Sequence, residues 1–230
     1  MVYTLEDVGL LQAVSLFAGV PREELSLLVS QLMRRSYRRN DVIFHRGDPG
    51  STLYIVQEGQ VKISLPAIDG DEVTLQIFGR GEFFGEMSLL DDLPRSATAT
   101  AIEPTRALSL GREQFLAAMQ RERAIAATVM AALGLRIRHA NDMIEDIVTL
   151  DIPARLAKKL LELASTNGVQ TPQGVEVGLR LTQQDVASMI GATRESTNKV
   201  LRAFILKGWI SVEAHRIMLH RVDELQRRIY

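Results

Sequence analysis

Leu181-Thr182-Gln183-Gln184-Asp185-Val186-Ala187-Ser188-Met189-Ile190-Gly191-Ala192-Thr193-Arg194-Glu195-Ser196-Thr197-Asn198-Lys199-Val200-Leu201 decides the reading of this 230-residue chain. Thr182 is suited to cap a first helix, with Asp185 three residues on in the manner of a capping box. Ala187 is small, as a close crossing of two helices requires. Gly191, four residues later, permits a sharp turn. Thr193 then caps a second helix whose first turn presents Arg194, Glu195, Asn198 and Lys199. Val200, Leu201 and Phe204 form its inward face. The first turns of the second helix of a helix-turn-helix meet base edges. Arg grips guanine O6 and N7, and Glu accepts from cytosine N4. Ser196 and Thr197 carry hydroxyls that suit phosphates. Past this helix, Gly208 to Val212 and Arg216 to Leu219 read as two strands around Glu213-Ala214-His215, a small hairpin wing.

Outward from this motif, charge supports the same reading. Residues 151–230 hold 12 Lys/Arg against 8 Asp/Glu, a net of +4. Residues 1–150 hold 15 against 20, a net of −5. A basic C-terminal segment suits phosphate binding. Cysteine is absent, which removes disulfides and thiolate metal sites or iron–sulfur clusters. His45, His139, His215 and His220 are scattered, so no metal cluster is expected. No run of about 18 apolar residues suggests a membrane span, and the acidic N-terminus (Met1 to Gln12) does not resemble a signal peptide. The expected location is the cytoplasm.

Leu25, Leu28, Val29 and Leu32 open the chain at helical spacing behind Pro21. From Tyr37 short apolar runs alternate with Gly, Asp and Pro. Asp41 to Phe44, Leu53 to Val56, Val61 to Leu65 and Val73 to Ile77 are such runs, with a turn at Asp69-Gly70-Asp71. Turn signals every ~8–12 residues predict a β-sandwich or barrel. After Gly111 the period becomes helical. Ala126, Met130, Leu133, Ile137, Ala140, Ile144 and Ile147 form a heptad seam, which fits either a coiled-coil dimer or one long packed helix. Asp151-Ile152-Pro153 begins another helix, expected over Ala154 to Ala164, with a turn-rich stretch from Ser165 to Gly178.

A second constellation is Gly81-Glu82-Phe83-Phe84-Gly85-Glu86-Met87-Ser88-Leu89-Leu90 followed by Arg95-Ser96-Ala97. Phe83, Phe84 and Leu89 supply core. Gly85 lets backbone approach a ligand, while Glu86, Arg95 and Ser96 offer an acceptor, a cation and a hydroxyl. The cation and hydroxyl suit a phosphate, and the carboxylate suits a sugar hydroxyl. A surface turn closed by a Glu86–Arg95 ion pair would carry the same residues.

With Gly85-Glu86, Arg95-Ser96-Ala97, the long helix ending at Leu150-Asp151 and Thr193-Arg194-Glu195-Ser196 together, the chain resembles the CRP/FNR family from Phe17 to about Leu219. The resemblance implies an α+β protein. Residues 1–120 would be a cyclic-nucleotide-binding β-barrel of jelly-roll type, 121–150 a dimerisation helix, and 151–230 a winged helix-turn-helix. It implies a homodimeric transcription regulator, not an enzyme. A cyclic nucleotide, cyclic AMP first, would gate it, and it would read palindromic DNA and contact RNA polymerase as an activator. It makes Glu86 a ribose 2′-hydroxyl ligand and Arg95 and Ser96 phosphate ligands, with Gly85 contributing backbone and Arg136 lying near the nucleotide. Asn141 fills one adenine-contact position. Ala140 fills the other, where a threonine is usual, which separates adenine recognition from the phosphate and ribose set. Thr193, Arg194, Glu195, Ser196, Asn198 and Lys199 would form the DNA face, Lys199 standing where an arginine is usual. A similar DNA-binding regulator with an unused pocket or a different effector, or a cyclic-nucleotide-binding regulatory module of an enzyme, would carry the same residues.

Overall fold

Leu53, Ile55 and Phe83 alternate with Tyr54, Val56 and Phe84, and both sets are buried or half-buried. Side chains of a strand point alternately to its two faces, so a strand hydrophobic on both must be covered on both. The computed structural model supplies those two covers. It describes residues 11–229 apart from 13, 18, 68–71, 180 and 215. The first ten residues, the Asp69-Gly70-Asp71 turn and His215 lie outside the described residues.

The chain divides into two compact units. The first comprises Met1–Leu65 with Leu75–Arg138, and the second Pro66–Thr74 with His139–Tyr230. In the first, α1 (Arg22–Val29) precedes eight strands: β1 (Met33–Tyr37), β2 (Val42–Phe44), β3 (Thr52–Glu58), β4 (Val61–Pro66), β5 (Glu72–Phe78), β6 (Phe83–Phe84), β7 (Thr98–Ala101) and β8 (Thr105–Gly111). A short helix, α2 (Met87–Asp91), interrupts them, α3 (Arg112–Arg121) follows, and α4 (Arg123–Thr149) begins in this unit and ends in the second. The strands do not close into one barrel. They make two four-stranded jelly-roll-like sheets, ordered β1-β8-β3-β6 and β2-β7-β4-β5. Leu53, Ile55, Phe83, Leu108 and Leu110 pack with Leu16, Phe17, Leu25, Leu28, Phe115, Ile125 and Val129, the helical cover. Val56 and Phe84 pack the other way, onto Val61, Phe78 and Ala99 of the second sheet.

The second unit holds α5 (Ile152–Asn167), α6 (Gln183–Met189), α7 (Arg194–Leu206) and α8 (Val222–Ile229) with a sheet ordered β11-β12-β10-β9. The wing is β11 (Ile210–Glu213) against β12 (Arg216–Leu219), with Ile210 opposite Leu219 and Glu213 opposite Arg216. The turn-rich stretch after α5 differs from its reading. It is a hairpin, β9 (Gly168–Thr171) with β10 (Gly174–Val177), and β10 also pairs with β12. Its pairing partner lies about forty residues away, and β9 is largely exposed, so no alternation of burial marks it. The preceding helix also runs three residues past Ala164. Ser165 and Thr166 lie in that added turn, their hydroxyls donating to the Glu162 carbonyl.

Asp151 starts α5 by accepting the Ala154 N–H at 2.9 Å, and Arg228 of α8 reaches the same carboxylate. The Ala154 amide, then Arg228, hold its pKa below the ordinary carboxylate value. A depressed pKa means stability that is present at neutral pH and lost as pH falls through the carboxylate range. Asp151→Ala should therefore cost ~1 kcal/mol at pH 7, and the difference from wild type in thermal midpoint should shrink on acidification.

Candidate functional site

Glu86 sits at the start of α2, directly after β6, and is only 1% exposed. A carboxylate that deep needs a partner. Arg136 of α4 provides it: Nη1 donates to Glu86 Oε1, and Nη2 donates to the Phe83 carbonyl at 2.7 Å. The partner is thus Arg136 rather than Arg95, and the surface-turn alternative with a Glu86–Arg95 ion pair falls. Arg95 is buried too, with Nη1 donating to Gly85 O at 2.7 Å and Nη2 to Thr52 O at 2.6 Å. Burial pushes its pKa below the ordinary guanidinium value, against the pull of Tyr54, Glu86 and Asp48.

Gly85 adopts φ +82°, and a Cβ there would meet Arg95 Nη1 at 2.7 Å and Thr52 O at 3.2 Å. Only glycine allows both the backbone angle and this approach. Beside Gly85, Glu86 Oε2, an acceptor, and Arg95 Nε, a donor, are buried without a protein partner. Buried groups of this kind demand a partner. One suits a ligand hydroxyl and the other a ligand anion, as a ribose phosphate would supply. Ser96 is exposed, its hydroxyl 3.7 Å from Met87 Sδ. Asn141 and Ala140 are exposed on α4, in the second unit.

On the other candidate face, Thr182 and Asp185 make the reciprocal capping box. The Ser196 N–H donates to Thr193 Oγ1 at 3.2 Å and starts α7. Gly191, at φ +60°, makes the turn between the two helices, and Ala187 beneath it is fully buried. Arg194, Glu195 and Lys199 are exposed, and Ser196 is half-buried. Thr197 is fully buried, so it cannot reach a phosphate, contrary to the reading of its hydroxyl. Its neighbour Leu201, one helical turn on, is buried with it, so the inward stripe begins one turn earlier than expected. Asn198 is half-buried, with its Oδ1 enclosed and unpartnered.

Residues 34–122 match the cyclic nucleotide-binding domain family, and residues 154–228 match the Crp-like helix-turn-helix domain family. A CRP-like cAMP-activated global transcriptional regulator of Mycobacterium tuberculosis is 35% identical over 219 residues, 95% of this chain and 98% of that protein. This chain belongs to the CRP/FNR family of transcription regulators. The cyclic AMP receptor protein of Thermus thermophilus is 36% identical over 193 residues, 84% of this chain and 86% of its own length. The c-di-GMP responsive global regulator of Xanthomonas campestris has the same fold, with a TM-score of 0.78 and 25% identity, covering 87% of this chain and 99% of that one. These CRP/FNR relatives are regulators rather than enzymes. The α+β architecture, the cyclic nucleotide-binding unit and the DNA-binding helix-turn-helix thus stand together in one chain.

Sequence reading missed the Glu86–Arg136 bond, because fifty residues separate the partners. It also missed the aromatic setting of the pocket. Arg95 lies 4.2 Å from the Phe44 ring centroid, and Arg136 lies 4.8 Å from that of Phe78. Arg136→Ala would strand the Glu86 carboxylate, a loss of ~3–5 kcal/mol for a buried pair broken on one side. The double variant Arg136→Ala with Glu86→Gln should recover part of that loss, as chemical denaturation of the ligand-free protein would show.

Proposed function

We propose that this regulator is a cytoplasmic homodimer gated by cyclic AMP and reading a palindromic operator. The observation that carries the effector half is the pair of orphaned buried atoms, Glu86 Oε2 and Arg95 Nε, together with the close approach of the Gly85 backbone to Arg95. Glu86 takes the ribose hydroxyl, Arg95 and Ser96 take the cyclic phosphate beside the Gly85 backbone, and Arg136 holds Glu86 in place. The family resemblance assigns the base contact to position 141, an asparagine here, and leaves Ala140 only a methyl group to offer. The cAMP-activated M. tuberculosis relative supports the choice of nucleotide.

Met130 (65% exposed), Ile137 (63%) and Ile144 (61%) support the dimer, because they leave the heptad seam of α4 uncovered in one chain. Two α7 helices must stand about one helical turn of DNA apart, ~34 Å, to match a palindrome, and pairing along that seam would set their spacing. Thr193, Arg194, Glu195, Ser196, Asn198 and Lys199 then face the groove. Arg194 and Glu195 are the base readers. Bound nucleotide shifts the dimer between two arrangements by its differential affinity for them. An activator of this kind also touches RNA polymerase.

Ala140 favours one second reading, a similar regulator answering to another nucleotide. Calorimetry with cyclic AMP separates the two: the wild type should release heat and Arg95→Ala should not. No heat with any cyclic nucleotide at millimolar concentration contradicts the effector assignment altogether. On DNA, Arg194→Ala should cost ~1–3 kcal/mol on the preferred site and relax base choice at one position. An equal loss on every sequence would contradict its role as a reader.

A further inference from the structure

The two pocket arginines rest on one cluster of rings. Arg95 lies over Phe44 at 4.2 Å and is 6.0 Å from the Tyr54 ring. Arg136 lies over Phe78 at 4.8 Å and is 5.3 Å from the Phe83 ring. Phe84, itself 1% exposed, joins the two supports, with centroids 6.0 Å from Phe44, 5.3 Å from Tyr54 and 5.9 Å from Phe78. A guanidinium over a ring face is attracted by the ring's quadrupole, and more strongly where water is excluded. Arg95 is in such a place, 5% exposed.

Hydrogen bonds alone do not fix that guanidinium. Nη1 and Nη2 each direct one N–H at a backbone carbonyl, Gly85 and Thr52, and Nε is left without a partner. Two anchors on one edge leave the plane free to tilt about them. The Phe44 face lies 4.2 Å away, against that plane. Phe44 is half-buried on β2, forty residues before the Gly85-Glu86 loop, and nothing in the motif Gly85-Glu86-Arg95-Ser96 requires it.

We propose that Phe44 is a positioning residue of the effector pocket: its ring face orients Arg95 so that the guanidinium meets the effector's anionic phosphate without rearrangement. Phe78 supports Arg136 in its bond to Glu86 in the same way, and Phe84 lies between the two supports. The inference rests on the reading of this pocket as a cyclic-nucleotide site. It adds that affinity is set partly by aromatic residues that never touch the nucleotide. A leucine at position 44 keeps apolar bulk and loses the ring face, and a tyrosine keeps the face.

The test is cyclic AMP calorimetry on the full chain and on Phe44→Leu and Phe44→Tyr, with thermal midpoints measured alongside. Phe44→Leu should bind about tenfold more weakly, the loss of one desolvated cation–π contact, and Phe44→Tyr should bind as the wild type does. Phe44→Leu binding at wild-type affinity overturns the inference. So does Phe44→Tyr failing as badly as Phe44→Leu, since the loss would then be one of packing. If Phe44→Leu does not fold, the Arg95 Nε–H resonance of the ligand-free wild type decides. An upfield ring-current shift supports the stacked arginine, and an unshifted resonance overturns it. A wild type that binds no cyclic nucleotide overturns the pocket reading itself, and this inference with it.

Discussion

A carboxylate that is 1% exposed is the constraint on which the pocket depends. Glu86 is tolerated there only because a cation arrives from a distant helix, Arg136 on α4. Burial raises the cost of each unpaired charge, so the pair ties the loop after β6 to the helix more tightly than a surface ion pair would. Arg136 also donates to the Phe83 carbonyl, so it secures the strand as well as the loop. A ligand group bonding Glu86 would thus act directly on a residue coupled to α4. That coupling is short and physical, since one side-chain bond separates the pocket from the helix that carries the exposed apolar seam.

The sheets serve the same site. Phe83 and Phe84 are adjacent in sequence and face opposite covers, the helical layer and the second sheet. The turn that follows them is therefore held from both sides. Gly85 can then take its left-handed angle where Arg95 presses closest. The rings on the second-sheet side serve the core and the cations at once. In the second unit the arrangement is more local. A capping box, a left-handed glycine and a second cap set two helices within some fifteen residues, and Arg194 and Glu195 stand exposed as a consequence.

The parts legible in the sequence were those with short-range chemistry. The Thr182–Asp185 box, the Gly191 turn and the Thr193 cap are all decided within a few residues, and each forms as its spacing indicates. The wing was legible because two short strands flank one turn. Long-range pairings were not. The β9–β10 hairpin is stabilised partly by β12, and the partner of Glu86 lies fifty residues on. Thr197 was misread because a helix face is settled by what packs on it. A hydroxyl gives no sign of whether it turns outward, and this one turns in. A sandwich or barrel was legible from turn spacing and its jelly-roll type only from the family resemblance, while its division into two sheets depends on which strands become neighbours.

The most direct test of the account is selection of bound sequences from a random DNA pool by the intact protein, with and without cyclic AMP. A cyclic-AMP-gated dimer should enrich a two-fold symmetric site, with half-sites about one helical turn apart, when cyclic AMP is present and enrich little when it is absent. Equal enrichment under both conditions would contradict control through the Glu86–Arg95 pocket, and enrichment of an asymmetric site would contradict a dimer that reads with two α7 helices.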